Sequence, residues 1–295
     1  MPLLLPVFLL VLQAVLTVHT ELVVVPVVVT NAQGGHVTTL TQDDFHVYED
    51  GRSRPVVVFQ HGEAPITLGM VVDRSQSMRP KSVALATAVS AVLQVMRKDD
   101  EVFAVDFNDH VSFELPDGHP FTRDPRAMAA TLAGMASAGQ TALYDGVAAG
   151  LAQLRAGHAE RQALVVISDG GDNASRHTYA DVLAIARRSD AVVYAIGLVG
   201  PSPDEADEDE GVLTRLCHDT GGVAYFPKTT QEIAAVSARI AADLREQYTL
   251  GFEPAARAGA RAFRKIEVRV TATGHGRLHV RTRSGYLVEN SSVTP

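Results

Sequence analysis

Between residues 66 and 246 the chain alternates short apolar runs with segments of helical composition, and this alternation restricts its fold more than any other feature. The runs ITLGMVVD, EVFAVDF, QALVVISD and AVVYAIGLV are apolar nearly throughout rather than at every second residue. Strands of that kind are buried on both faces, which requires a mostly parallel sheet with helices above and below it. The stretches 81–96, 125–135, 143–154, 179–188, 212–217 and 230–246 read as those helices, and VAYF as a further short strand. HVSFEL follows EVFAVDF after only Asn108 and Asp109, so this pair is expected as an antiparallel hairpin at a sheet edge. The reading is an α/β fold with a doubly wound, mostly parallel six-stranded sheet.

Both flanks have a different character. From residue 22 the sequence runs through valine-rich and aromatic strands (HVTTL, FHVYED, RPVVVF) without a helix, and strands return after Gln247 as YTLGFEP, RKIEVRVTA and RLHVRTRSGYLV. Neither end is large enough to bury a sheet face alone. They are expected to combine into one small discontinuous β-sandwich-like domain, 21–63 with 247–290, into which the α/β unit 64–246 is inserted.

Net charge is −8, and six of the negative charges fall in DEADEDE at 204–210. No basic patch accompanies them, which argues against nucleic acid as a partner. The acidic run is expected as a solvated loop ahead of the 212–217 helix, with a cation-binding or basic-partner patch as the alternative. Residues 1–20, apolar from Leu3 to Val18, have the length of a signal-peptide core rather than of a membrane span. The protein is therefore expected to be secreted, periplasmic or on the cell surface, and tied to a membrane only if that segment is retained. The single cysteine, Cys217, sits on an apolar helical face and reads as a buried small hydrophobe. The eleven histidines have no zinc-site spacing.

Ligands of a doubly wound sheet bind outside the carboxyl ends of its strands where the winding reverses. Two strands end in aspartate, GMVVD at Asp73 and LVVISD at Asp169, and the common strand order makes them neighbours. The turn DRSQS after the first strand presents Ser75 and Ser77 at alternate positions. The loop SAGQTALYDG brings Thr141 to the same rim. Asp73, Ser75, Ser77, Thr141 and Asp169 form a set of hard oxygen donors without Cys or His, which suits Mg²⁺, and also Mn²⁺ or Ca²⁺, rather than zinc or copper. Two acids and three hydroxyls leave the cation short of an octahedron, with a place for an outside oxygen. Asp145, Asp172 and Asn173 are candidates for orienting these ligands, and ordinary loop and helix-start roles compete with that. Taken singly, Ser77 and Asp73 could equally be helix caps. Asp106, in mid-strand, belongs either to an edge or to a local polar network.

DRSQS, GQTALYDG and VISDGGDN, in this order and on this strand pattern, resemble the von Willebrand factor A domain and its metal-ion-dependent adhesion site. The motif D-x-S-x-S with a later Thr and a later Asp falls on Asp73, Ser75, Ser77, Thr141 and Asp169 without substitution. The flanks resemble exported bacterial proteins related to that family. The resemblance implies adhesion or protein binding through the metal, with a partner's Asp or Glu carboxylate completing the coordination sphere.

Two other function classes compete with it. A hydrolase using Asp73 as nucleophile would want a second acid two residues on, where this chain has Ser75, and no Gly-rich phosphate loop or His-paired nucleophile is present, so no enzyme activity is expected. A purely structural scaffold in an envelope assembly would bind metal without exchanging a partner.

Overall fold

The computed structural model describes residues 22–114, 118–133, 136–198, 203–255 and 263–288. The segment 1–20 and the export reading that rests on it lie outside the described residues. The chain enters through strands β1 (Val23–Asn31), β2 (Phe45–Glu49), β3 (Arg52–Arg54) and β4 (Val56–His61). The α/β region follows as β5 (Ile66–Asp73), the 3-10 turn Gln76–Lys81, α1 (Ser82–Gln94), β6 (Glu101–Phe107), β7 (Val111–Glu114), α2 (Pro125–Ala133) and α3 (Leu143–Leu154). It continues through β8 (Arg161–Ser168), α4 (Tyr179–Arg188), β9 (Val192–Gly197), α5 (Pro203–Thr220), β10 (Ala224–Tyr225) and α6 (Thr230–Glu246). The strands β11 (Tyr248–Phe252), β12 (Phe263–Val270), β13 (Leu278–Thr282) and β14 (Gly285–Leu287) complete it.

The central sheet has the order β10-β9-β8-β5-β6-β7. All its neighbours are parallel except β6 and β7, which pair antiparallel at the edge. Every residue of β5, β6 and β9 is buried. Continuous apolar runs therefore became strands covered on both faces. One apolar cluster packs Leu68, Met70 and Val72 against α1 and α6 on one face. The other packs Val71, Phe103 and Leu164 against α3, α4 and α5 on the opposite face. Cys217 is fully buried in that second cluster, as a small hydrophobe would be.

Three sequence expectations need correction here. HVTTL forms no strand but only an isolated bridge from His36 to Thr30, because the chain turns straight back on the end of β1. The acidic run is not a loop: α5 begins at Pro203, so 204–210 forms its first two turns. Pro at the first helical position and carboxylates in the first turn both favour a helix start, the latter through the macrodipole. The hairpin loop holds three residues rather than two, because Asn108 N–H bonds to the His110 carbonyl and β7 starts at Val111.

Strands from the two ends of the chain interleave in two four-stranded sheets, β13-β1-β11-β4 and β14-β12-β2-β3. A third apolar cluster, with Val25, Val27, Phe45, Tyr248 and Phe252, lies between them. Arginines join these sheets to the α/β region at the amino ends of the parallel strands. Arg161 donates to the carbonyls of Leu244 (2.8 Å), Arg245 (2.9 Å), Gln247 (3.2 Å) and Gly62 (2.7 Å), capping the end of α6 where it runs into β11. Asp243 of α6 accepts from Arg281, and its other oxygen lies 2.7 Å from His36 Nε2. The opposite end of the sheet, where β5 and β8 terminate side by side, is left to the candidate site.

Candidate metal centre

Asp73 closes β5 as a fully buried residue. Its Oδ1 accepts the Ser75 N–H at 2.8 Å, and its Oδ2 accepts the Ser168 hydroxyl at 2.6 Å. Burial pushes the Asp73 carboxyl above the usual range, the nearby charge of Asp169 adds to that, and the bonds from Ser168 and Ser75 oppose it. Ser75 has extended backbone (φ −64°, ψ 165°) ahead of the 3-10 turn, and its hydroxyl lies 3.0 Å from that of Ser77. Alternate spacing thus puts two hydroxyls together beside a carboxylate, while Gln76 is exposed to solvent. Of the two residues open to a cap reading, Ser77 bonds to the Ser75 hydroxyl rather than to the backbone of the turn, whereas Asp73 does accept a backbone N–H, that of Ser75, as a cap would.

Backbone hydrogen bonds bring the second stretch alongside the first. Gln76 N–H donates to the Gly139 carbonyl (3.0 Å), Ala138 N–H to Arg74 (2.8 Å), and Ala142 N–H to Asn108 (2.8 Å). Gly139 has φ +84°, a backbone conformation that favours glycine, and a Cβ there would also push the Asp109 carboxylate aside. Thr141 follows, largely buried, at the head of α3.

The third stretch follows β8. Asp169 is part-exposed, and its Oδ2 accepts from Lys81 Nζ at 2.8 Å. Beyond it the chain clamps the Thr141 loop. Asn173 Oδ1 accepts the Thr141 N–H (2.8 Å), and the N–H groups of Asn173 and Ala174 donate to the Thr141 carbonyl (2.9 and 3.1 Å). Asp172 Oδ1 accepts from Tyr144 N–H and from the Ser175 hydroxyl. Asp145 accepts from the N–H groups of Arg176 and His177 and meets the His177 ring at 2.6 Å. Burial raises the Asp145 carboxyl, but these bonds outweigh it and hold it below the usual range. Asp145, Asp172 and Asn173 therefore tie two loops together.

A model of the von Willebrand factor type A domain matches residues 68–239. The chain belongs to that family. Among solved structures, a von Willebrand factor type A protein from Catenulispora acidiphila is 11% identical, with 84% of this chain and 74% of that one covered at TM-score 0.54. Proximal thread matrix protein 1 from the mussel byssus is 13% identical, covering 67% of this chain and 51% of its own at TM-score 0.52. BatB from Bacteroides thetaiotaomicron is 17% identical, covering 60% and 98% at TM-score 0.47. No curated protein matches.

The donor chemistry of this A domain suits a hard divalent ion. Among the described residues no three His, Cys, Asp or Glu side chains gather as a metal group. The cluster here is of another type, two carboxylates with hydroxyls, one carboxylate being buried with both oxygens already oriented. Three groups at the crevice escaped the sequence reading. Ser168 was legible in principle, as the residue before Asp169 at a strand end. Lys81 and the Asp109 carboxylate, which accepts the Gln140 N–H at 2.9 Å, carried no local signal.

Asp106 belongs to a polar network beside the centre rather than to an exposed edge. It is buried in β6, opposite Ser112 and near Glu114 of β7, and Oδ1 has no hydrogen-bond partner. Burial, then the hydrogen bond and charge of Glu114, push its carboxyl up to about 7, against the attraction of Arg74.

Proposed function

We propose that this A domain is a non-enzymatic, metal-ion-dependent protein-binding module, with Mg²⁺ held by Asp73, Ser75, Ser77, Thr141 and Asp169 and Mn²⁺ or Ca²⁺ as substitutes. The observation that carries the reading is the pair of hydroxyls, Ser75 and Ser77, 3.0 Å apart and hinged on a buried Asp73 whose two oxygens are both fixed. Such an arrangement presents hard oxygen donors on a rigid strand end rather than on a loose loop. When bound, the ion supplies an electrophilic point for an oxygen from outside the chain, most naturally a partner's Asp or Glu carboxylate. Ser168 orients the Asp73 carboxylate, and Asn173, Asp172 and Asp145 hold the Thr141 loop in position. Ser75 occupies the place where an aspartate-based hydrolase would need its acid, which supports binding rather than turnover. The apolar segment 1–20 supports an exported location, where such a partner would be met.

Calorimetric titration of chelator-stripped protein with Mg²⁺ tests the reading. Saturable uptake at or below millimolar concentration is expected, together with its loss in Asp73→Ala while the circular dichroism spectrum stays the same. Absence of uptake by the parent protein refutes it.

A further inference from the structure

Lys81 reaches across the crevice from the first loop to the end of β8, its ammonium 2.8 Å from Asp169 Oδ2. Both side chains are largely withdrawn from water, 20% and 14% exposed. Lys81 is also the residue that opens α1, and its side chain makes no capping bond there. A cation at a helix N-terminus faces the positive end of the macrodipole and is mildly unfavourable. Its placement therefore calls for a compensating role, and the bond to Asp169 is the one the geometry offers.

Resting on the metal-binding reading above, we propose that Lys81 is a built-in counter-charge that weakens the site's hold on its cation and strengthens its hold on a partner's carboxylate. The charges decide the direction. A divalent ion with Asp73 and Asp169 sums to zero, and a neutral site has little to draw in an anion. With the Lys81 ammonium the sum is +1, and one incoming carboxylate restores neutrality. A carboxylate oxygen that accepts an ammonium hydrogen bond is, in addition, a poorer donor to a metal. The other carboxylates nearby are held by bonds of their own, Asp145 by the Arg176 and His177 N–H groups, Asp172 by Tyr144 N–H and the Ser175 hydroxyl, and Asp109 by Gln140 N–H. Among the described residues Lys81 is the charged side chain that bonds directly to a candidate ligand. Lys81 is thus the group that sets the balance between ion and partner.

Three variants test this: Lys81→Met and Lys81→Gln, which remove the charge, and Lys81→Arg, which keeps it. Mn²⁺ uptake is measured by calorimetry, and acetate serves as the carboxylate probe through its displacement of Mn²⁺-bound water, read by water-proton relaxation. Removing a like charge that bonds to one of the would-be ligands shifts binding by about an order of magnitude, so Met and Gln are expected to bind Mn²⁺ about tenfold tighter and acetate several-fold more weakly. Arg is expected to match the parent in both. Neutral variants that bind Mn²⁺ and acetate as the parent does overturn the proposal, as do neutral variants that bind Mn²⁺ more weakly, since Lys81 would then only hold Asp169 in place. A parent that takes up no Mn²⁺ overturns the metal-binding reading and this proposal with it, whereas the other two adverse results leave that reading standing.

Discussion

The Ser168 hydroxyl donates a 2.6 Å hydrogen bond to Asp73 Oδ2, joining the ends of the two adjacent strands on which the candidate centre is built. The same Ser168 oxygen accepts the Gly170 N–H at 3.0 Å, so one side chain sets both the carboxylate and the start of the loop that carries Asp169. Ser168→Ala strands a buried carboxylate oxygen, at an expected cost of about 1–3 kcal/mol in urea unfolding. Mg²⁺ affinity should fall in the same variant, by about tenfold, as for other residues that orient a metal ligand. Unchanged affinity in a folded Ser168→Ala protein would mean that Asp73 is positioned without it.

Ligand-linked stabilisation gives an independent check on the centre. An ion that binds only the folded chain raises stability by about 2.7 kcal/mol at one hundred times its dissociation constant. Mg²⁺ should therefore raise the melting temperature of the parent in a concentration-dependent way that chelator reverses. Asp73→Ala should show no such rise.

Asp106 makes stability depend on pH. Its folded carboxyl titrates at about 7 and the free side chain near 3.8, so between those values the folded state binds the extra proton. Stability from this group is complete below about pH 4 and is lost as pH climbs through 7. Asp106→Asn should flatten that decline and leave the protein about 1–2 kcal/mol more stable than the parent at pH 8, since it removes a buried, half-partnered charge. Equal slopes of unfolding free energy against pH in the two proteins would contradict this.

Arg161 ties the helix that ends the α/β region to both β4 and β11 through carbonyls of Gly62, Leu244, Arg245 and Gln247. Arg161→Ala leaves buried carbonyl groups without their donor, and a loss of about 3 kcal/mol is expected. Calorimetry should register a lower and broader transition, as the β sheets and the α/β region come apart less cooperatively. A melting curve that superimposes on that of the parent would place the junction's strength elsewhere, with the bonds from Asp243 to Arg281 and His36 and from Arg283 to Asp190 among the ties that remain.

Much of this architecture could be read along the chain, because period and spacing are local properties. Unbroken apolar runs such as ITLGMVVD can be satisfied only by strands covered on both faces, and all eight of those residues are buried. The alternate Asp73, Ser75 and Ser77 belong to one turn, so their convergence was implicit in their spacing. The pairing of the two aspartate-ending strands followed from the common winding order, and β5 and β8 are neighbours. The acidic run was misread because its charge resembles a loop, while its position behind Pro203 favours a helix start.

Other features arise only when distant parts of the chain meet. Ser168 is 95 residues from Asp73, Lys81 is 88 from Asp169, and Arg161 is 83 or more from each carbonyl it caps at the end of α6. No periodicity records such contacts, since a single hydrogen bond imposes no pattern on the residues around it. The amino-acid sequence by itself determined which strands are buried and which oxygens share a turn. Tertiary structure alone decided which carboxylate would meet an ammonium, which would meet a hydroxyl, and which, at Asp106, would be left with an oxygen unmatched.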